Sequence, residues 1–283
     1  MPKKVSFINM KGGVGKSTLA VNIAWHFAVM SEPRRKVLLI DLDPQFNASQ
    51  YLLGVDEYED VILKKNTPTI WNVFEQFTHS PGLPSPTPLD PASVIYSFKK
   101  FRDGGRIDLI PSRLELAFSL RNPGGQKERL LEKVVSKVEE DYDLIILDCA
   151  PTESFLTMAA YLASDYILVP VKPEYLSSIG VSLLVNSMEE FKRHHEDHTL
   201  ELAGIVFNAT SDYVPEEAKS KRDVRAIARK NGWHVFEKEV SYSRSYPKGA
   251  REGQPIFRTS YSRWKQAKRF QEFAEEFAAR IGL

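Results

Sequence analysis

The stretch INMKGGVGKSTLA, Ile8 to Ala20, constrains this chain more than any other. It follows the strand-like run KKVSFINM (Lys3 to Met10) and opens an apolar-periodic segment, Ser17 to Met30, so a glycine-rich turn joins a buried strand to a helix. That is the context a phosphate-binding loop requires. Gly12, Gly13 and Gly15 let backbone N–H groups, that of Val14 among them, converge on phosphate oxygens, and the helix N-terminus favours the negative charge. Lys16 then reaches the β and γ phosphates, Ser17 offers its hydroxyl oxygen to Mg²⁺, and Thr18 contacts the nearer phosphate. The expected ligands are ATP and Mg²⁺.

The rest of the chain supplies a sheet for this unit. KVLLIDLD (Lys36 to Asp43), RIDLIPS (Arg106 to Ser112), YDLIILDCAP (Tyr142 to Pro151), DYILVPV (Asp165 to Val171) and LAGIVFN (Leu202 to Asn208) are near-continuous apolar runs. Helix-length segments, Gln126 to Glu140, Phe155 to Ala163 and Leu176 to His194, separate several of them. This alternation predicts an α/β fold: a doubly wound, mostly parallel sheet with helices on both faces. We expect one domain over residues 1–283, with an excursion at about 55–105 that includes the proline-rich HSPGLPSPTPLDP (His79 to Pro91). Trp71, Phe74 and Phe77 in that excursion are set at helical spacing, and core packing is preferred over a partner-docking face. A last helix, about Tyr261 to Ile281, places Trp264, Ala267, Phe270, Phe273, Ala274, Phe277 and Ile281 on one side, to pack on the sheet.

A single cysteine, Cys149, excludes an internal disulfide and a multi-thiolate cluster. No apolar leader opens the sequence and no run is long enough to span a bilayer, so a cytoplasmic protein with no membrane partner is expected. HHEDH (His194 to His198) matches no standard metal spacing and reads as exposed polar sequence. The net charge of +1 hides an asymmetry: residues 219–269 hold 15 Lys and Arg against 4 Asp and Glu, so they carry +11 and the remainder −10.

The loop departs from the ordinary pattern in one place. Met10 stands five residues before Gly15, where glycine is usual, and a second lysine, Lys11, follows it. KGGVGKST resembles the deviant Walker A motif of the ParA/MinD family of ATPases, closest to the Soj-like ParA partition ATPases. LLIDLDPQFNAS resembles that family's DxDPQGN segment, LIILDCAP its Walker B strand, and Ala150 to Leu184 follows ParA almost position for position. The resemblance implies that Lys11 reaches across a two-fold interface to the partner's nucleotide, making Lys11, Lys16 and Asp43 catalytic, with Asp43 orienting the attacking water. It places Mg²⁺ on Ser17, Asp41 and Asp148, and the adenine edge on Asn208. Phe46 stands where the family usually has glycine, and Ala150 where it often has proline. The likeness thins between Val55 and Arg106 and after Asn208.

In that family an ATP-bound homodimer holds DNA without regard to sequence through basic C-terminal residues. Here the candidates are Arg222, Arg225, Arg229, Arg244, Lys248, Arg251, Lys265 and Arg269. The implied protein is a nucleoid-associated partition or positioning ATPase whose hydrolysis a ParB-like or other cargo adaptor stimulates. Its cargo is a plasmid, a chromosome origin or a protein assembly. No helix-turn-helix segment is seen before the loop, so operator binding is not expected. A MinD-like membrane regulator and a metabolic enzyme on the same loop are the alternatives. The acidic Glu272, Glu275 and Glu276 disfavour the first, and the lone cysteine disfavours a cluster-bridging reductase.

Overall fold

The computed structural model describes residues 1–77, 88–121, 127–211 and 215–283. The chain begins with β1 (Lys3–Phe7), α1 (Lys16–Val29) and β2 (Lys36–Leu42). Next come α2 (Asn47–Tyr58), kinked at Gly54, α3 (Ile70–Glu75) and two strands, β3 (Tyr96–Lys100) and β4 (Arg106–Ile110). A single turn α4 (Leu116–Ser119) leads to α5 (Glu128–Val138), β5 (Leu144–Cys149), α6 (Phe155–Leu162) and β6 (Tyr166–Val171). The remainder is α7 (Ser177–His194), β7 (Glu201–Thr210), α8 (Pro215–Lys230), the two-residue β8 (Val240–Ser241), α9 (Ser245–Glu252) and α10 (Trp264–Ile281).

The strands form one sheet in the order β3-β4-β2-β5-β1-β6-β7-β8, and every pair is parallel except β3 with β4. The predicted doubly wound sheet is therefore present. Two strands that sequence patterning missed lie at its edges: β3 inside the excursion, and β8, too short to carry a pattern. Along each inner strand alternate side chains enter opposite cores. Val37 and Leu39 face α1, α2 and α10, whereas Leu38, Ile40 and Leu42 face α3, α5 and α6. Both faces are apolar, which is why these strands read as continuous hydrophobic runs.

On α10 the buried stripe is Ala267, Phe270, Phe273, Ala274, Phe277 and Ile281, and Phe277 meets Phe7 of β1 edge-on at 6.4 Å. Trp264 does not join it. As the first helical residue it lies beyond the packed face and stays 78% exposed. The helix does lie on the sheet, as its periodicity predicts. No described helix is long and apolar enough to cross a membrane.

Within the excursion Phe74 is buried edge-on against Phe155, while Phe77 is exposed. Ile70, Val73 and Phe74 form the packed face of α3, not the three aromatics together. Residues 79–87 of the proline-rich stretch lie outside the described residues. His198 is less exposed than its polar neighbourhood suggests: its Nε2 lies 3.0 Å from the Tyr161 carbonyl and 3.2 Å from that of Ser164. Among the described residues no three His, Cys, Asp or Glu side chains gather into a metal cage.

One buried group on α1 makes stability depend on pH. His26 lies edge-on to Phe27 and Phe270, and burial pushes its imidazole down from 6.5 to about 4. The folded state thus holds the neutral ring, and the unfolded chain binds the extra proton. This contribution is complete above about pH 6.5 and is lost as pH falls toward 4, amounting to about 3 kcal/mol at most. Accordingly, His26→Leu should flatten the fall in melting temperature between pH 6.5 and about 4.5 relative to wild type, measured by circular dichroism; parallel slopes would clear the ring of responsibility.

Candidate active site

The loop between β1 and α1 sits at the carboxyl end of the central strand, where open α/β sheets take ligands. Two asparagines brace it from behind. Asn9 Nδ2 donates to the Pro170 carbonyl on β6 while its Oδ1 accepts the Lys11 N–H, at 2.8 and 2.9 Å. Asn208, at the end of β7, donates its Nδ2 to the Val14 carbonyl at 2.7 Å. Gly15 has φ +87°, and a Cβ there would come within 2.3 Å of that same Nδ2, so this position needs glycine twice over. Asn208 is thus a prop under the loop, and it does not line the cleft above.

The cleft has a volume of about 660 Å³. Its floor is the loop: Gly12, Gly13, Gly15, Lys16, Ser17 and Thr18. Lys16 is buried, and its ammonium donates to the Asn9 carbonyl at 3.2 Å. Desolvation lowers its pKa, and the charges of Asp148, Cys149 and Asp43 act the other way.

Asp41 and Asp148 end neighbouring strands and stand in register, both without solvent exposure. Their roles differ. Asp41 accepts Ser49 N–H and Oγ at 2.8 and 2.7 Å through one oxygen, and Asp43 N–H at 3.1 Å through the other. It fastens the first turn of α2 to the sheet, and burial pushes its carboxyl up to about 7. The Mg²⁺ role expected for Asp41 finds less support in its contacts than that of Asp148, because both Asp41 oxygens already accept hydrogen bonds. Among the described residues neither oxygen of Asp148 has a well-formed hydrogen bond. Burial and then the Asp41 charge drive its pKa well up, with the nearby Ser17 hydroxyl and the Lys16 charge opposing. A buried carboxylate so poorly satisfied, next to a serine at the start of the loop helix, fits a divalent cation carried in with a triphosphate. Asp43 lines the cleft directly and holds the Gln45 N–H at 2.9 Å.

The other wall was not legible as a site. Gln45, Asn47, Gln50, Tyr51 and Val55 come from α2 and the turn before it, and Ala250 and Arg251 from α9. Gln45 and Asn47 lie inside the DPQFNAS segment, but Tyr51 and Val55 belong to no motif. Phe46, between them, has φ +46° in the left-handed region where glycine is at ease, and its ring stacks on Tyr58 at 4.9 Å.

Lys11 is not among the residues lining its own cleft. Its ammonium pairs with Glu174 at 2.8 Å, and Lys172 grips the other oxygen of the same carboxylate. Those two lysines hold Glu174 below the usual carboxylate range. Gly180 of α7 allows the close approach, since a Cβ there would meet Asn9 Oδ1 at 2.8 Å and Lys11 Cβ at 3.3 Å. Beside this pair Tyr175, Leu176, Ile179 and Leu183 are each more than half exposed, the first two in the turn before α7 and the other two one turn apart on the helix.

The basic C-terminal residues do not form one uniform surface. Arg222, Arg229, Arg244, Arg251 and Lys265 are exposed. Arg225 pairs with Glu239 and lies over Phe207, Lys248 pairs with Glu252, and Arg269 donates to Ser241 Oγ. Tyr242 and Tyr261 stand exposed beside Arg244 and Arg263, and Trp264, next in sequence to Arg263, is exposed as well.

A family model described as an AAA domain (AAA_31) matches residues 2–202. The chain is similar to the sporulation initiation inhibitor protein Soj of Bacillus subtilis, 32% identical over 196 residues, covering 69% of this chain and 68% of Soj. It is also similar to the chromosome-partitioning ATPase Soj of Treponema pallidum, 26% identical and covering 100% and 99%. Among solved structures, a Cyanothece McdA complex with ATP superposes with a TM-score of 0.77 at 18% identity, covering 100% of this chain and 97% of McdA.

The poorly satisfied carboxylate gives a test that needs no turnover. Asp148→Asn keeps the shape and replaces a poorly satisfied buried carboxyl with a neutral amide, so the nucleotide-free protein should melt a few degrees higher at about pH 8, roughly the effect of 1–2 kcal/mol. The same change should weaken the gain in nucleotide affinity that Mg²⁺ brings, read by calorimetric titration with and without the ion. A lower melting temperature together with an unchanged Mg²⁺ effect would assign Asp148 a purely structural part.

Proposed function

Because the chain belongs to the AAA_31 family of ParA/MinD-type P-loop ATPases, we propose that it is a positioning ATPase that uses ATP to switch between a free and a paired, DNA-holding state. The observation that carries this reading is the division of labour between the two lysines. Lys16 serves its own cleft, whereas Lys11 is turned out of it onto Glu174, at the edge of an exposed apolar stripe. A second copy brought face to face covers that stripe and receives Lys11 at its own triphosphate. Pairing then requires nucleotide, since phosphate oxygens replace Glu174 as the partner of Lys11.

In the closed pair, the loop N–H groups and Lys16 hold the phosphates of ATP, and Asp43 aligns a water for attack on the terminal phosphoryl group. Lys16 and the incoming Lys11 stabilise the charge that develops there. Mg²⁺, held from Ser17 and Asp148, supplies further neutralisation of the phosphate oxygens when bound. Asp41 acts at one remove, by fixing the α2 segment that carries Asp43's neighbours. Asn208 supports the loop rather than the base.

DNA is the proposed surface for the paired state. Arg222, Arg229, Arg244 and Lys265 are exposed cations, and the aromatic side chains beside Arg244 and Arg263 suit a nucleic-acid face. Two copies double the phosphate contacts, which gives nucleotide control of retention. A partner protein, ParB-like or another cargo adaptor, accelerates hydrolysis and releases the pair. The load is a plasmid, a chromosome origin or a protein assembly, and the reading places the protein in the cytoplasm on the nucleoid.

The two lysines separate these steps. Lys11→Ala should bind ATP with near wild-type affinity yet stay monomeric with ATP in light-scattering chromatography, and Lys16→Ala should lose nucleotide binding itself. If Lys11→Ala pairs like wild type, the cross-interface role is wrong. Asp43→Ala should hold ATP, remain on DNA and hydrolyse slowly. For the wild type, DNA retention should require ATP and fall by tenfold or more between about 50 and about 200 mM salt, followed by fluorescence anisotropy.

A further inference from the structure

Arg251 stands apart from the other basic residues of the C-terminal segment. It lies on α9, and with Ala250 it forms part of the wall of the phosphate cleft. Among the described residues lining that cleft Lys16 and Arg251 are the two cations, and Asp43 is the one anion. Its guanidinium makes no ion pair or hydrogen bond among the described residues. Lys248 on the same helix is held by Glu252, and Arg225 by Glu239.

The position of α9 against the cleft is fixed from inside. Asn22 of α1 donates its Nδ2 to Tyr51 Oη at 3.0 Å and accepts the Ile256 N–H at 2.7 Å. Tyr51 Oη in turn donates to the Gln254 carbonyl at 3.3 Å. Gly249 lets the helix settle there: a Cβ would come within 2.4 Å of the Gln254 carbonyl oxygen and 2.8 Å of Tyr51 Oη. The helix that follows the phosphate loop, the α2 wall and the segment carrying Arg251 are thus joined by one buried network.

We propose that Arg251 is a nucleotide-binding residue, a second cation that closes over the phosphates of a nucleoside di- or triphosphate from the α9 side, and not a DNA contact. The inference rests on the reading that this cleft takes ATP. A planar guanidinium without a partner matches phosphate oxygens through paired N–H donors, which a surface lysine cannot do. Nucleotide then contacts α9 directly, the helix that Arg244 precedes and that carries Lys248. This gives the basic segment a direct tie to the state of the cleft.

The test is titration of ATP and of ADP by calorimetry in the absence of DNA, on wild type, Arg251→Ala and Arg251→Lys. Arg251→Ala should weaken both nucleotides by about tenfold, the size of one charge-assisted hydrogen bond, and Arg251→Lys should fall between it and wild type. The melting temperature of the nucleotide-free variants should match wild type, because the side chain has no partner to lose. Wild-type nucleotide affinity in Arg251→Ala overturns the inference, and a fall in its DNA retention at the same time makes Arg251 a DNA contact after all. If wild type itself binds neither nucleotide, the active-site reading fails and this inference with it.

Discussion

Two carboxylates, Asp41 and Asp148, lie side by side at the ends of parallel strands with no access to water. Desolvating charge is costly, and placing a second one next to it is costlier. Much of the surrounding structure offsets that cost. Ser49 and the Asp43 backbone satisfy Asp41, and in doing so they set where α2 starts. Asp148 is left for the buried Lys16 and for whatever positive charge the cleft receives. A buried carboxyl so poorly satisfied favours ligands that bring a cation with their phosphates.

The same economy of connections appears around the loop. Asn9 and Asn208 tie it to β6 and β7, while Asn22 ties the helix behind it to α2 and α9. Single hydrogen bonds thus join the loop to β6 and β7, and the helix behind it to α2 and the basic C-terminal segment. The Lys11 backbone belongs to this web through Asn9, but its side chain lies outside it. Its contact with Glu174 is a partly exposed ion pair, and such pairs exchange partners at little cost.

Legibility in the sequence followed the physics of each element. The inner strands were visible because burial on both faces leaves no polar positions, as in the apolar centre of KVLLIDLD. The loop was visible because backbone approach to phosphate demands glycine at fixed places. By contrast β3 is an edge strand of mixed polarity and β8 has only two residues, so neither leaves a pattern. Arg251 was indistinguishable from its basic neighbours, since only the docking of α9 on α2 decides which of them faces the cleft. The Asn208 contact under the loop was not legible, since only the fold brings it to the Val14 carbonyl in the room that Gly15 leaves.

Phe46 gives the chain a different temporal character from one with glycine at that position. Glycine there would let the segment after Asp43 sample many backbone states between encounters with ligand. Phe46 admits few, and its ring is stacked on Tyr58, whose hydroxyl is held by the Ser112 carbonyl. The backbone after Asp43 is therefore restricted at Phe46 and tied, through one stacked ring, to the far end of α2 and to the segment after β4.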